Sequence, residues 1–322
     1  MSKVQLECKH LKKYFNTPRG TLHAVDDISF TIGEGETLGI VGESGCGKST
    51  LGRTILRLIP HTSGEVIFEG KNILNYSRSE MKGMRRKMQL IFQDPFASLN
   101  PCMTVYQAIA EALLIQKVYK SKAEIDEKVS ELMDLVGLAD RYVNVYPHEL
   151  DGGRRQRIGI ARALALNPKF IVCDEPVSAL DVSIQAQILN LLMDLQSQYH
   201  FTYMFITHDL SVVKHISNDI AVMYLGKMVE KSPSGQLFSK PLHPYTQALL
   251  KAIPVPALGR KEKKIDIIQG EVVSPIDPKP GCRFAARCPY AMAQCTQKDP
   301  ELREIEPGHF VSCHLFDTEN RA

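Results

Sequence analysis

The apolar residues of this chain fall into three kinds of run, and each predicts a different element. Residues 1–36 alternate apolar and polar positions, broken by turn residues at 16–20 and 33–35, which predicts a small antiparallel sheet. Short apolar-rich runs follow at 37–41, 88–92 and 201–207 and read as buried strands, and the unbroken run at 170–173 suits a parallel strand buried on both faces. The stretch 63–70 reads as turn, strand, turn. From about residue 96 to 166 the period becomes helical. Ser121 with Glu124 makes a capping box, Ile125, Val129, Leu132, Met133 and Val136 share one face, and Gly137 stops the helix. Ile184, Ile188, Leu191, Leu192 and Leu195 predict another helix. Leu51, Ile55, Leu58 and Ile59 predict one that runs up to Pro60. Strands alternating with helices make this an α/β chain with a helical insertion.

Composition narrows the partners more than the fold. The 322 residues, 44% of them hydrophobic, allow one large or two modest domains with a proper core. Lys plus Arg at 39 against Asp plus Glu at 36 is nearly balanced, so nothing demands nucleic acid, and Lys82, Arg85, Arg86 and Lys87 read as a solvated face. The N-terminus lacks an apolar signal core, and no run approaches the roughly 18–20 apolar residues of a membrane span. The expected compartment is the cytosol, where cysteines serve as thiols or ligands rather than in structural disulfides.

The chemistry begins where the 37–41 strand meets a helix. Gly42 to Thr50, GESGCGKST, fits the phosphate-loop pattern through Gly42, Gly47, Lys48 and Ser49. Gly42, Gly45 and Gly47 let backbone N–H groups turn inward around a phosphate, with Ser44, Cys46 and Thr50 completing the loop. The helix start adds its positive dipole end, Lys48 can neutralise β- and γ-phosphates, and the Ser49 hydroxyl can ligate Mg²⁺. The alternative, an incidental glycine turn, has to compete with what lies downstream. There the 170–173 run ends in Asp174 and Glu175, and ligands of parallel sheets sit at the strands' carboxyl ends. One carboxylate can hold Mg²⁺ and the other polarise an attacking water. The alternative is a pair of helix-capping acids. The 201–207 run delivers His208 in the same way. The lysine loop, the acidic pair and this histidine are expected to converge on one triphosphate.

Taken together, these residues resemble the nucleotide-binding subunits of ATP-binding cassette (ABC) transporters over about residues 4–250. Gly42 to Thr50 is similar to the Walker A loop, Gln93 to the Q-loop glutamine, and Asp174 with Glu175 to the Walker B pair. Ser178 to Asp181 resembles the D-loop, His208 the switch histidine, and Tyr14 the aromatic that stacks on adenine. The resemblance implies a P-loop NTPase (RecA-like) core with an antiparallel β subdomain and an inserted α-helical subdomain. It assigns 1–255 to the nucleotide-binding domain, about 96–166 to the helical part, and 256–322 to a C-terminal extension. It also implies ATP and Mg²⁺ as ligands, with Glu175 as general base, His208 as γ-phosphate sensor, and Ser49, Gln93 and Asp174 on the metal. Two such subunits, like or unlike, sandwich ATP between one Walker A loop and the other's signature loop. The helical block then docks transmembrane permease subunits on the cytoplasmic membrane face, and a solute-binding protein takes part indirectly. Glu43 to Cys46, Gln93 to Pro101 and His243 to Leu250 resemble the dipeptide and oligopeptide importers, a pattern partly shared by nickel importers.

Two features depart from or extend the pattern. Leu150-Asp151-Gly152-Gly153-Arg154 stands where the family has L-S-G-G-Q. An ionised aspartate cannot donate to a γ-phosphate, and a like charge about 4 Å away costs up to about 4 kcal/mol at an effective dielectric near 20. Asp151 also reads as a plain N-cap whose charge Arg154 offsets. A low-turnover regulatory subunit is therefore a second expectation.

The other feature is Cys282, Cys288, Cys295 and Cys313, spaced C-x5-C-x6-C-x17-C after a charged linker at 261–264. Four thiolates suit Zn²⁺ or an iron–sulfur cluster. The absence of a tight C-x2-4-C pair leans toward iron–sulfur, and the resemblance to peptide-importer ATPases implies [4Fe-4S]. His309 and His314 read as surface residues. Cys8, Cys46, Cys102 and Cys173 read as small apolar or loop residues.

Overall fold

The computed structural model describes residues 3–253 and 273–317; the 261–264 linker and the boundary expected at 255/256 lie outside them. A hairpin of β1 (Val4–Thr17) and β2 (Gly20–Gly33) is followed by β3 (Thr37–Val41), α1 (Lys48–Ile55) and β4 (Ser63–Phe68). Next come β5 (Lys71–Asn72), α2 (Arg78–Lys87), β6 (Met88–Ile91), α3 (Pro95–Ser98), α4 (Val105–Gln116), α5 (Lys122–Leu135) and α6 (Gly152–Leu164). The chain continues through β7 (Phe170–Asp174), α7 (Val182–Tyr199), β8 (Thr202–Ile206), α8 (Leu210–Ile216), β9 (Asp219–Tyr224) and β10 (Lys227–Pro233). It ends with α9 (Ser234–Ser239), α10 (Pro244–Lys251), β11 (Arg303–Glu306) and β12 (His309–Val311).

Among the described residues these elements form two compact units: 3–6, 32–36 and 68–206 make the first, and 7–31, 37–67, 207–253 and 273–317 the second.

In the first unit, β8, β7 and β6 are neighbours in that order and run parallel. Every residue of β7 and β8 is buried, as continuous apolar strands covered on both faces must be. The helical block holds together by capping and by one buried face. Thr104–Gln107 and Ser121–Glu124 both close capping boxes, and Ile125, Val129, Leu132, Met133 and Val136 are buried. Each such side chain contributes about 1.5–3 kcal/mol on burial. A charge at Val129 would break this face. Gly137 ends the stretch with φ 69°, a left-handed conformation that suits glycine. On α2, Met81 and Met84 turn inward while Lys82, Arg85 and Arg86 face solvent.

The second unit holds the order β11-β12-β10-β9-β3. β9 runs parallel to β3, pairing Val222 with Val41, and β10, β12 and β11 add antiparallel strands in turn. The segment after residue 273 thereby extends the sheet that carries the phosphate-loop strand.

The helix after the loop is shorter than the sequence pattern predicts. Arg57 takes a left-handed φ of 51°, Arg57 N donates to Thr54 O at 3.0 Å, and Leu58 N donates to Arg53 O at 2.9 Å. These two bonds are a Schellman cap with arginine in the place usually held by glycine. Helix α1 thus stops at Ile55, and Leu58 is 49% exposed rather than on a buried face.

Candidate functional site

Gly42 and Gly47 are required by close approach. A Cβ at Gly42 (φ 151°) would lie 2.1 Å from Met223 O, and one at Gly47 (φ 104°) 2.0 Å from Ala24 O. Between them Ser44 and Gly45 are exposed while Cys46 is buried. Gly47 N-caps α1 without a side chain, so the first-turn amides of Lys48, Ser49 and Thr50 have no side-chain cap there. Lys48 is 4% exposed, and its ammonium donates to Gly42 O at 2.8 Å and Glu43 O at 3.0 Å. Thr207 N donates to Ile40 O at 3.1 Å, which sets the following residue, His208, exposed at the carboxyl end of β3 in the same unit.

Tyr14, also in the second unit, is stacked on His23 with ring centroids 3.9 Å apart and planes 17° from parallel. Its hydroxyl donates to Asp26 Oδ1 at 2.5 Å, and burial together with that bond pushes its pKa up. Burial pushes the Asp26 carboxyl up, but the Tyr14 hydrogen bond and the charges of Lys227 and Arg283 outweigh it and hold it below the usual range.

In the first unit, Ile91 pairs with Cys173, so the residues just past β6 and β7 come side by side. Gln93 Nε2 donates to Glu175 Oε2 at 3.1 Å. Glu175 has φ 47° and its amide donates to Ile206 O at 2.9 Å, while Asp174 is 1% exposed. The Ser49 hydroxyl, Gln93 amide and Asp174 carboxylate are hard oxygen donors of the kind Mg²⁺ takes.

Asp151 caps α6: its side chain accepts from Arg154 N at 2.8 Å, and the Arg154 guanidinium is ion-paired back to it. Gly153 is packed against α7, where an added Cβ would meet Ile184 Cγ2 at 2.7 Å, and Gly152 lies against Leu180. Asp181 is the exposed N-cap residue of α7.

The four C-terminal cysteines are free thiols. Cys282 N donates to Cys295 O at 2.7 Å. Burial pushes Cys282 up to about 11 and Cys313 up to about 12, and the neighbouring thiols add to both shifts. Burial raises Cys288 as well, with Cys295 contributing. The donor set is the right chemistry for a thiolate-bound metal. However, among the described residues no group of three or more His, Cys, Asp or Glu is arranged to hold a metal ion.

The histidines nearby are not on the surface. His309 is fully buried, with Nε2 2.7 Å from the equally buried Glu230, because β12 pairs onto β10. His314 is 4% exposed and bonds Asp317 and Lys298 O, each at 2.8 Å.

Several residues gave no sequence signal for the contacts they make. Glu43 lies inside the recognised loop, yet its carboxylate is gripped by Arg287 at 2.9 and 3.0 Å and its amide donates to Tyr245 Oη at 2.9 Å. The His243 to Leu250 stretch marks Tyr245 as notable, but nothing local marks Arg287.

A parallel strand opening through a glycine loop onto a lysine-led helix is the mark of a P-loop nucleotide-binding protein, and in the first unit a glutamine and paired carboxylates lie at or just past the ends of parallel strands. The ABC transporter family profile matches residues 25–178, and the profile for the oligopeptide/dipeptide transporter C-terminal region matches 229–295. The chain is 53% identical over 313 residues to the putative oligopeptide transport ATP-binding protein YkfD of Bacillus subtilis, covering 97% of this chain and 95% of that protein. It is 53% identical over 317 residues to OppF, the oligopeptide transport ATP-binding protein of the same organism, covering 97% of each. Among solved structures, it is similar to the ATP-binding cassette MJ0796 in a dimeric, post-hydrolysis state bound to ADP and Pi. That match has a TM-score of 0.66 at 29% identity and covers 71% of this chain and 98% of that one. The cbiO1 structure from Clostridium perfringens, part of the cbiONQ transporter complex, matches with TM-score 0.66 at 28% identity, covering 74% and 92%. The chain belongs to the ATP-binding subunits of ABC transporters, in the oligopeptide/dipeptide transport group. No described helix is long and apolar enough to cross a membrane.

Proposed function

We propose that this chain is the ATP-hydrolysing subunit of a membrane ABC importer for dipeptides or oligopeptides. The observation that carries the reading is the loop from Gly42 to Lys48, in which close backbone approach demands glycine at 42 and 47 and the lysine is directed onto the loop's own carbonyls. Such a loop has one established chemical use, to wrap a polyphosphate in amides and neutralise it with one ammonium. The relatives' names support peptide as the cargo.

The residue roles follow from the family resemblance together with donor chemistry. Lys48, the loop amides and Thr50 bind the phosphates, and Tyr14 takes the adenine. Ser49, Gln93 and Asp174 would hold Mg²⁺, which supplies neutralisation of the phosphate charge. Glu175 accepts a proton from, or polarises, the attacking water, with Gln93 orienting its carboxylate. His208 senses the γ-phosphate. Asp151, Gly152, Gly153 and Asp181 face the ATP held by a second ATPase subunit, of like or unlike chain. The domain assignment is a cassette over 1–255, with permease subunits docked on its helical part, and an extension over 256–322. The subunit sits peripherally on the cytoplasmic membrane face, and the solute-binding protein acts through the permease.

The test is ATP turnover of the complex purified with its membrane subunits. Glu175→Gln should abolish turnover while retaining nucleotide, and Lys48→Ala should lose the nucleotide itself. Normal turnover in Glu175→Gln would support instead a low-activity regulatory subunit, the reading favoured by Asp151 in the signature loop. Stimulation by a metal solute such as nickel, and not by peptides, would shift the cargo.

The four thiols extend the reading to a [4Fe-4S] cluster at Cys282, Cys288, Cys295 and Cys313, with Zn²⁺ as the alternative. The donor set of four free thiols in one C-terminal segment, with Cys282 N bonded to Cys295 O, supports it. Anaerobic purification with an absorption spectrum and metal assay decides; colourless protein free of iron ends the cluster reading.

A further inference from the structure

Every polar group of Glu43 is engaged. Its carbonyl accepts from Lys48 Nζ at 3.0 Å, its amide donates to Tyr245 Oη at 2.9 Å, and its two carboxylate oxygens take the two terminal nitrogens of Arg287 at 3.0 and 2.9 Å. The Arg287 pair is the bidentate fork, the strongest and most directional of carboxylate contacts. Arg287 is itself only 7% exposed. It donates further to Tyr224 Oη at 3.2 Å, and Tyr224 meets Tyr245 and Phe284 edge-on at 4.7 and 5.3 Å. Four residues earlier, Arg283 pairs with Asp26 and donates to Leu225 O, next to Gly226, whose amide donates to Cys46 O at 2.8 Å. A single turn of chain between Cys282 and Cys288 therefore contacts the loop at Glu43 and, through Gly226, at Cys46.

The charge balance explains why such a grip matters. Glu43 is an acid inside a loop shaped for a polyanion. Left unpaired, its carboxylate opposes the phosphates and competes for Lys48. Bidentate pairing neutralises it and turns it into a handle. On the reading that this loop binds ATP, we propose that Arg287 is a positioning residue which, through Glu43, holds the phosphate loop in its binding geometry and so lets the C-terminal cysteine segment set the affinity for ATP.

The test uses the full-length chain in its transporter complex, with nucleotide titration and steady-state ATPase kinetics. Arg287→Ala should raise KM and the nucleotide dissociation constant about tenfold, the order expected when one partner of a close charge pair is removed, with kcat at saturation changed less than about twofold. Adding Glu43→Gln to Arg287→Ala should restore most of the lost affinity, because the stranded charge is gone, and Arg287→Lys should fall between. Thermal melting identifies variants that are merely unfolded; in that case Arg287→Lys and the double variant carry the comparison. Unchanged affinity in a folded Arg287→Ala, or a double variant no tighter than the single, overturns the proposal. Lys48→Ala separates the two levels. If it abolishes nucleotide binding while Arg287→Ala changes nothing, only the clamp is wrong. If Lys48→Ala still binds normally, the loop reading fails and takes the clamp with it.

Discussion

Gln93 Nε2 donates to Glu175 Oε2 at 3.1 Å, joining the residues two positions beyond the paired Ile91 and Cys173 of neighbouring parallel strands. The Glu175 backbone is held by its amide bond to Ile206 O. The Gln93 contact therefore acts on the carboxylate's orientation and not on the chain. Gln93→Ala should cut ATP turnover about 10–100-fold through misorientation while leaving nucleotide affinity within about threefold. Steady-state ATPase rates and a nucleotide titration check it; an unaltered rate counts against Gln93 as the orienting group.

At the signature loop, Asp151 serves α6 as its cap and is ion-paired with Arg154. Serine caps about as well, so Asp151→Ser with Arg154→Gln should change stability by less than about 1 kcal/mol. The pair of changes returns a hydroxyl donor to the loop that the proposed function sets against a partner's ATP. Turnover of the assembled complex should rise, and an unchanged rate would remove Asp151 as a brake.

Burial pushes His243 down to about 4 from an ordinary 6.5, against the opposing pull of Glu230. Its Nδ1 accepts the Tyr245 amide at 3.0 Å, which requires the neutral ring. With the folded value below the unfolded one, the unfolded chain takes up the proton first. The neutral ring's contribution, about 3 kcal/mol, is complete above pH 6.5 and lost as pH falls toward 4. Melting temperatures across that range should decline in the native chain and less steeply in His243→Asn, which keeps a capping acceptor. Equal slopes would disprove the assignment.

Glu230 and His309 are both fully buried, and Glu230 also accepts from the amides of Leu242 at 2.7 Å and His243 at 2.9 Å. Removing the imidazole leaves the buried Glu230 carboxyl with its two amide donors alone, so His309→Leu should cost about 1–3 kcal/mol. Denaturant titration measures this, and a loss under about 1 kcal/mol would mean the pair is incidental.

Elements that depend on near neighbours were legible in the chain. The capping box at Ser121 and Glu124, the buried face of α5 and the strand before Gly42 each follow from residues within a few positions of one another. The end of α1 was not, since a Schellman cap built on Arg57 lacks the glycine that usually marks it. The buried state of His309 and His314 was hidden for a different reason: it arises from strand pairing and loop contacts, not from local pattern.

By itself, then, the sequence determined the α/β pattern, the phosphate loop, the acidic strand end and the family, because periodicity and motif spacing are properties of short stretches. Only the tertiary structure decided that Glu43 meets Arg287 across 244 residues and Glu230 meets His309 across 79. Side chains so far apart come together through sheet order and burial, which many different sequences satisfy, so no spacing along the chain records which charge each will find.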